Sequence, residues 1–211
     1  DRYSGKKDKK VKTVENLTDS IGNANQRLLK FFSEKSPIAE AYRSIKINLQ
    51  FLASDKSKKV FVISSPSASE GKSLTTSNIG ISFARGGNKT LIIDCDLRKS
   101  VQHKNFGVDR KPGLTNYLYG EEELSDVIVD VGVDNLYVIP AGSSPSNPAG
   151  LLASEKMQNL IKELRPKFDF ILVDGDQFHG FDGIPFETVV GGDNTYVSIA
   201  AASILAKTER D

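Results

Sequence analysis

The chain has 211 residues, with 28 Lys plus Arg and 27 Asp plus Glu, so its net charge of +1 favours neither a nucleic-acid nor an acidic partner. This length fits one α/β domain of ordinary size and excludes a second full-sized domain. The single cysteine, Cys95, excludes an internal disulfide framework, and no apolar run approaches the roughly 18 residues of a membrane span.

Residues 1–35 are expected to form a flexible basic N-terminal arm or linker. Residues 1–12 carry six basic and two acidic side chains but a single aliphatic one, too little apolar surface to offset the entropy of ordering. Such a segment is either a solvated terminus or a juxtamembrane stretch that favours anionic lipid headgroups. Because the first residue is Asp1, we expect the chain to be part of a longer protein.

A helix is predicted to begin at Ser36 and Pro37, which suit the N-cap and the first helical position. One face of this helix is apolar, with i, i+4, i+7, i+11 and i+14 spacing. The residues of this stripe are Ile38, Tyr42, Ile45, Leu49 and Leu52. Glu40, Arg43 and Lys46 lie on another face, which is either solvated or a subunit contact.

From Val60 onwards, short apolar runs alternate with helical stretches. The run KVFVISS, a helix over about 72–85 and the run TLIIDCD form a βαβ unit, and the runs 135–142 and 168–175 add strands. Their continuous apolar character is typical of strands covered on both faces. The sequence thus predicts an α/β fold with a mostly parallel sheet and helices on both faces.

A phosphate-binding loop is predicted between the first strand and its helix, where the sequence reads SSPSASEGKS. Gly71 lets the backbone approach phosphate oxygens, Lys72 can reach the β and γ phosphates, and the Ser73 hydroxyl can ligate Mg²⁺. The first glycine of the usual pattern falls on Pro66, so the prediction depends on the strand–loop–helix context. The predicted nucleotide-binding residues are Ser69, Glu70, Gly71, Lys72, Ser73 and Leu74.

Three carboxylates are predicted at the ends of strands: Asp94 and Asp96 in LIIDCD, and Asp174 in FILVD. Ligands of an open parallel sheet gather beyond the carboxyl ends of its strands, so these acids can hold Mg²⁺ opposite Lys72 and Ser73. The alternative is that they only terminate strands. Four residues are therefore predicted to bind the metal: Ser73, Asp94, Asp96 and Asp174.

The segments SPIAEAYRSIKINLQF, SPSASEGKSLTTSNIG, LIIDCDLRKS, GLTNYLYGEEELSDVI, LYVIPAGSSPSNPAGLLASEKMQNLI and FDFILVD occur in this order between residues 36 and 174. Together they resemble the bacterial tyrosine kinases that control capsule and exopolysaccharide synthesis. The resemblance implies a P-loop NTPase-like fold over 36–175. It places Lys72 and Ser73 in Walker A, Asp94 and Asp96 in a second Walker-type motif peculiar to the family, and Asp174 in Walker B.

The resemblance also implies ATP and Mg²⁺ as cofactors and a tyrosine-containing protein as the substrate. Asp96, Lys72 and Asp94 are the expected catalytic residues, with Asp96 orienting the tyrosine hydroxyl. Glu40, Arg43 and Lys46 fall on the family's subunit-contact motif E-x-x-R-x-x-R, with lysine replacing the last arginine and losing its bidentate fork. The implied partners are further copies of the chain and the activator domain of a membrane polysaccharide co-polymerase, at the inner face of the membrane.

The sequence is also similar to the partition and septum-positioning ATPases, which carry a second lysine early in the phosphate loop. Ser67 stands at the matching position here, which favours the kinase. An ATPase switch and a catalytically inactive nucleotide-binding module remain the alternatives.

The C-terminal segment 176–211 departs from the kinase pattern and is expected to impair the kinase activity. The run SIAAASILAKTERD, with Asp174 and Asp193, resembles the end of ribonuclease HII. Half of that nuclease's metal-binding carboxylates are missing, so RNA cleavage is not expected. The sequence leaves open a natural fusion, an assembly error and a designed chimera. PFETVV is expected to supply an edge strand that completes the truncated sheet, and residues 196–208 a covering helix.

Overall fold

The computed structural model describes residues 25–53, 59–64, 71–175, 178 and 185–190, and these form a six-stranded sheet with helices on both faces. The strands are β1 (Val60–Ser64), β2 (Thr90–Asp94), β3 (Val129–Asp130), β4 (Leu136–Ile139), β5 (Phe170–Asp174) and β6 (Phe186–Val190). The helices are α1 (Pro37–Leu52), α2 (Lys72–Arg85), α3 (Gln102–Phe106), α4 (Leu114–Tyr119), α5 (Leu124–Val127), α6 (Pro148–Leu152) and α7 (Glu155–Leu164).

The strand order is β3-β4-β2-β5-β1-β6, and only the short β3 runs antiparallel to its neighbour. Strand β5 therefore lies between β1 and β2, and α2 crosses over it to connect them. This crossover brings the start of α2 and the ends of β2 and β5 to one edge of the sheet, where ligands of such folds gather. The predicted P-loop-like, mostly parallel fold is confirmed.

Alternating strand residues contribute to two separate hydrophobic cores, because successive side chains point to opposite faces of a sheet. On one face, Phe61, Ile92 and Leu172 pack against α1 and α2. On the other face, neighbouring residues such as Val62 and Ile171 pack against α4, α6 and α7. Apolar burial on both faces explains why the strands read as continuous apolar runs.

Helix α1 begins as predicted. The Ser36 side chain accepts a hydrogen bond from the Ala39 N–H at 3.3 Å, and Pro37 occupies the first turn. The predicted apolar stripe faces the core: Ile38, Tyr42, Ile45 and Leu49 are buried, and Leu52 is partly buried. The core thus fixes which face of α1 points outward.

The predicted arm 1–35 needs correction over residues 25–35. Leu28 and Leu29 are fully buried against α1 and α2, and a 3-10 turn spans Leu29–Phe31. The Asn78 side chain accepts the Leu29 N–H at 2.8 Å, and Arg85 donates to the Leu29 carbonyl at 2.9 Å. The segment is ordered because its two leucines pack in the core and its backbone forms hydrogen bonds with the side chains of Asn78 and Arg85. The domain therefore begins before residue 36. Residues 1–24 lie outside the described ranges.

The expected edge strand at PFETVV is present as β6, which pairs in parallel with β1 over its whole length. Val189 contributes to the core on the α1 and α2 face. The helix expected at residues 196–208 and the carboxylate Asp193 lie outside the described residues, so the ribonuclease-like tail stays a prediction. Within the described ranges, no helix is both long and apolar enough to cross a bilayer.

Candidate functional site

The first element of the site is the start of α2. Gly71 caps this helix with a φ of 88°, a left-handed conformation that disfavours side chains with a Cβ. Lys72 and Ser73 follow in the first turn, where free N–H groups and the helix dipole favour an anion. Leu74 is half-buried and packs on the core. Two other predicted nucleotide-binding residues, Ser69 and Glu70, lie outside the described residues.

The second element is a pair of carboxylates at the ends of β2 and β5. Asp94 and Asp174 are directly opposite each other in the parallel register, and both are fully buried. The Cys95 N–H donates to the Asp174 carbonyl at 2.8 Å, which extends the pairing one residue beyond the strands. A Cβ at Gly175 would lie 2.8 Å from the Cys95 backbone carbon, so glycine is required where the two strands separate.

The predicted catalytic lysine lies against these acids. Lys72 Nζ is 3.2 Å from Asp174 Oδ1 and 3.8 Å from Asp96 Oδ2. The Lys72 side chain is 9% exposed and the Asp96 side chain 29%. The structure therefore brings together the residues predicted from three separate segments, and Asp96 is the carboxylate that solvent reaches.

Asp94 is held by the backbone rather than by a side-chain cation. Its Oδ2 accepts the Gln102 N–H at 3.2 Å and its Oδ1 accepts the Asp96 N–H at 3.3 Å. Burial, with the neighbouring charge of Asp174, raises the pKa of Asp94 well above its usual value. Both Asp94 oxygens thus accept backbone hydrogen bonds, and a catalytic role for Asp94 stays a prediction.

A magnesium ion fits the oxygen donors at this edge of the sheet. The carboxyl groups of Asp94 and Asp174 supply hard oxygens, the ligands that Mg²⁺ prefers. Within the described part of the chain, no group of three His, Cys, Asp or Glu side chains is arranged to hold a metal without a bound phosphate. The metal-ligand set Ser73, Asp94, Asp96 and Asp174 accordingly stays a prediction.

Three buried polar residues at the site were missed by the sequence analysis. Gln102 Nε2 donates to Asp174 Oδ2 at 2.7 Å and to the Ser73 carbonyl at 2.9 Å. Ser77 donates to Gln102 Oε1 at 2.7 Å, and Asn105 Nδ2 donates to Ser77 at 2.9 Å. No motif marks them, because their role depends on α3 folding back over the start of α2.

The residues of the expected subunit contact lie on the outward side of α1. Glu40 and Arg43 form an ion pair with each other, and Arg43 also donates to the Glu34 carbonyl at 3.1 Å. Lys46 is half-buried and lines a cleft of about 160 Å³ together with Arg85. The three residues thus share one surface, and their role in assembly stays a prediction.

Two further titratable residues lie close to these elements. Cys95 is buried, and burial together with the charge of Asp94 raises the pKa of its thiol well above the usual value. His103 is half-buried. Burial and the positive charges of Arg110 and Lys104 lower the pKa of His103.

Comparison with known proteins shows the family of this chain. A family model described as an AAA domain matches residues 58–177. The tyrosine-protein kinase CpsD of Streptococcus pneumoniae is 40% identical over 150 residues, which are 71% of this chain and 64% of that protein. The chain spans less than two thirds of the length of the curated relatives that it matches.

Two solved structures are similar over most of the chain. The crystal structure of the chimerical protein CapA2B2 superposes with a TM-score of 0.72, at 28% identity and over 93% of each chain. The BceF tyrosine kinase domain superposes with a TM-score of 0.69, at 26% identity, over 92% of this chain and 82% of that one. The predicted resemblance to bacterial tyrosine kinases is confirmed, and the chain belongs to the AAA domain family with tyrosine-protein kinases as its relatives.

Proposed function

We propose that this chain is the catalytic part of an ATP- and Mg²⁺-dependent protein tyrosine kinase that acts in capsule or exopolysaccharide synthesis. The observation that carries the proposal is the position of the Lys72 ammonium, which lies at the start of α2 and faces Asp174 and Asp96. A phosphate-binding helix start next to buried strand-end carboxylates is the arrangement that phosphoryl transfer requires. The tyrosine kinases among the relatives support the acceptor class.

The chain's own residues would bind and orient the reactants. The free N–H groups at the start of α2 would hold the phosphates, and Lys72 would leave Asp174 to neutralise charge on the transferred group. Asp96 would orient the acceptor hydroxyl and receive its proton, because it is the partly exposed carboxylate beside Lys72. When bound to Ser73 and the buried aspartates, Mg²⁺ would neutralise phosphate charge as a Lewis acid.

Assembly and activation belong to the same proposal. Glu40, Arg43 and Lys46 would contact a second copy of the chain, and a membrane-anchored activator domain would bring the protein to the inner face of the membrane. The Glu40–Arg43 pair joins exposed side chains within one helix, so it can exchange for a partner across an interface at little cost. Charge reversal at Arg43 should therefore weaken self-association and leave the free energy of unfolding nearly unchanged.

The experiment has two stages. Isothermal titration with ATP and Mg²⁺ compares the wild type with Lys72→Ala, and a phosphotyrosine assay with a poly-tyrosine peptide then tests transfer. Binding that disappears in Lys72→Ala, together with phosphotyrosine formation, supports a kinase. ATP hydrolysis without phosphotyrosine would favour an ATPase switch, and nucleotide binding without either reaction would favour an inactive binding module. Equal affinities of the wild type and Lys72→Ala for ATP and Mg²⁺ would contradict the proposed site.

A further inference from the structure

Gln102 is buried at the junction of the site's three elements. Its side chain is 0% exposed and makes hydrogen bonds through both ends of the amide. Nε2 donates to Asp174 Oδ2 and to the Ser73 carbonyl, and Oε1 accepts from Ser77. Its backbone N–H also donates to Asp94. One residue thus contacts both buried carboxylates and the first turn of α2.

These contacts fix the orientation of the Asp174 carboxylate. Lys72 approaches one oxygen of Asp174 at 3.2 Å, and Gln102 donates to the other at 2.7 Å. A hydrogen bond to an ionised carboxylate is about twice as strong as a neutral one. When Lys72 turns towards a nucleotide, Gln102 is the side-chain donor that still holds Asp174, among the contacts that the structure describes.

We propose that Gln102 is a positioning residue that holds the Asp174 carboxylate at a fixed place relative to Ser73, so that a divalent cation strengthens nucleotide binding. The inference rests on the proposed nucleotide-binding function. Gln102 contacts neither reactant and acts through Asp174. Without it, Asp174 can rotate away from Ser73, and a cation would lose part of its preorganised oxygen donor set.

Asn105 supplies a matched control one turn along the same helix. It is also buried, and its side chain donates to Ser77 at 2.9 Å and to the Ser73 carbonyl at 3.4 Å. It makes no hydrogen bond to Asp94 or Asp174 among the described residues. Asn105 therefore shares the structural role of Gln102 at the start of α2 and lacks the contacts to the acids.

The test measures the affinity for ADP by titration, with Mg²⁺ and with EDTA, in Gln102→Met and Asn105→Leu. Both variants keep side-chain size and remove the amide. We expect the gain in affinity on adding Mg²⁺ to fall about tenfold in Gln102→Met, the effect of losing one charge-assisted hydrogen bond. The affinity in EDTA should not change. Asn105→Leu should lower the melting temperature and keep the full Mg²⁺-dependent gain.

The outcomes separate this inference from the proposed function. A wild type that binds no nucleotide overturns both, whereas an unchanged Mg²⁺-dependent gain in Gln102→Met overturns the inference alone. An equal loss in Asn105→Leu also overturns it, because the effect would then be general loosening of α2. If Gln102→Met does not fold, Gln102→Asn keeps a neutral amide of the same polarity and places its donor one methylene short of Asp174. A full Mg²⁺-dependent gain in that variant contradicts the inference equally.

Discussion

Replacing Lys72 with Met removes the ammonium and keeps a side chain of similar length. At 3.2 Å from Asp174, and with an effective dielectric constant of about 20, the attraction amounts to about 5 kcal/mol. Loss of one partner from a buried pair costs about 3–5 kcal/mol, because the other charge is left uncompensated. We therefore expect Lys72→Met to lower the free energy of unfolding of the nucleotide-free protein by about 3–5 kcal/mol.

Urea unfolding in EDTA measures this change, since a shift of the midpoint at constant slope reports stability alone. Lys167→Met is the control, because Lys167 pairs with Glu163 one helical turn away and both side chains are about half exposed. Such an exposed pair contributes only about 0.3–0.5 kcal/mol.

A double-mutant cycle with Asp174→Asn isolates the pair. We expect the cost of Lys72→Met to fall by at least half when it is introduced into the Asp174→Asn variant, where the fully buried Asp174 charge is absent. If Lys72→Met costs no more than Lys167→Met, or if the cycle shows no coupling, Lys72 does not form this ion pair in solution.

Further predictions concern stability and reactivity. Ser36→Ala should cost about 1 kcal/mol in urea unfolding through loss of the N-cap bond, whereas Ser44→Ala, on the exposed side of the same helix, should cost less. Leu28→Ala should cost about 2–5 kcal/mol if residues 25–35 belong to the core, and a change below about 1 kcal/mol would contradict that placement. Native Cys95 should resist a thiol reagent that modifies it after unfolding, and rapid modification of the native protein would show that it is accessible.

The pH dependence of stability provides a separate test of the buried acids. Burial raises the pKa of Asp94 in the folded state, so above its ordinary value of about 4 the folded protein retains a proton that the unfolded chain releases. Stability contributed by this group therefore falls as the pH rises through the raised folded pKa. Unfolding free energies measured against pH should decline less in Asp94→Asn than in the wild type. Parallel curves would show that Asp94 ionises normally.

Apart from the two-residue β3, the strands, α2 and the strand-end acids were predictable because each depends on local sequence. A parallel strand buried on both faces requires a continuous apolar run, and such runs at 60–64, 90–94 and 170–174 leave few alternatives. Asp94 lies beside Asp174 because β2 and β5 are adjacent in the sheet. This proximity follows from the strand order, and the local sequence around either residue does not reveal it. Leu28 and Leu29 were missed because a three-residue 3-10 turn has no periodic pattern to reveal it.

The position of Gln102 shows why the rest of the site could not be predicted. It follows the polar stretch after Asp96, where a sequence pattern favours solvent exposure, yet it is as buried as the core leucines. A buried amide must have partners for both its donor and its acceptor. Those partners lie on Ser73, Ser77 and Asp174, up to 72 residues away, and come together only when the sheet forms. The strand-end aspartates can be recognised in the sequence. The residues that orient their carboxylates, such as Gln102, can be recognised only in the folded structure.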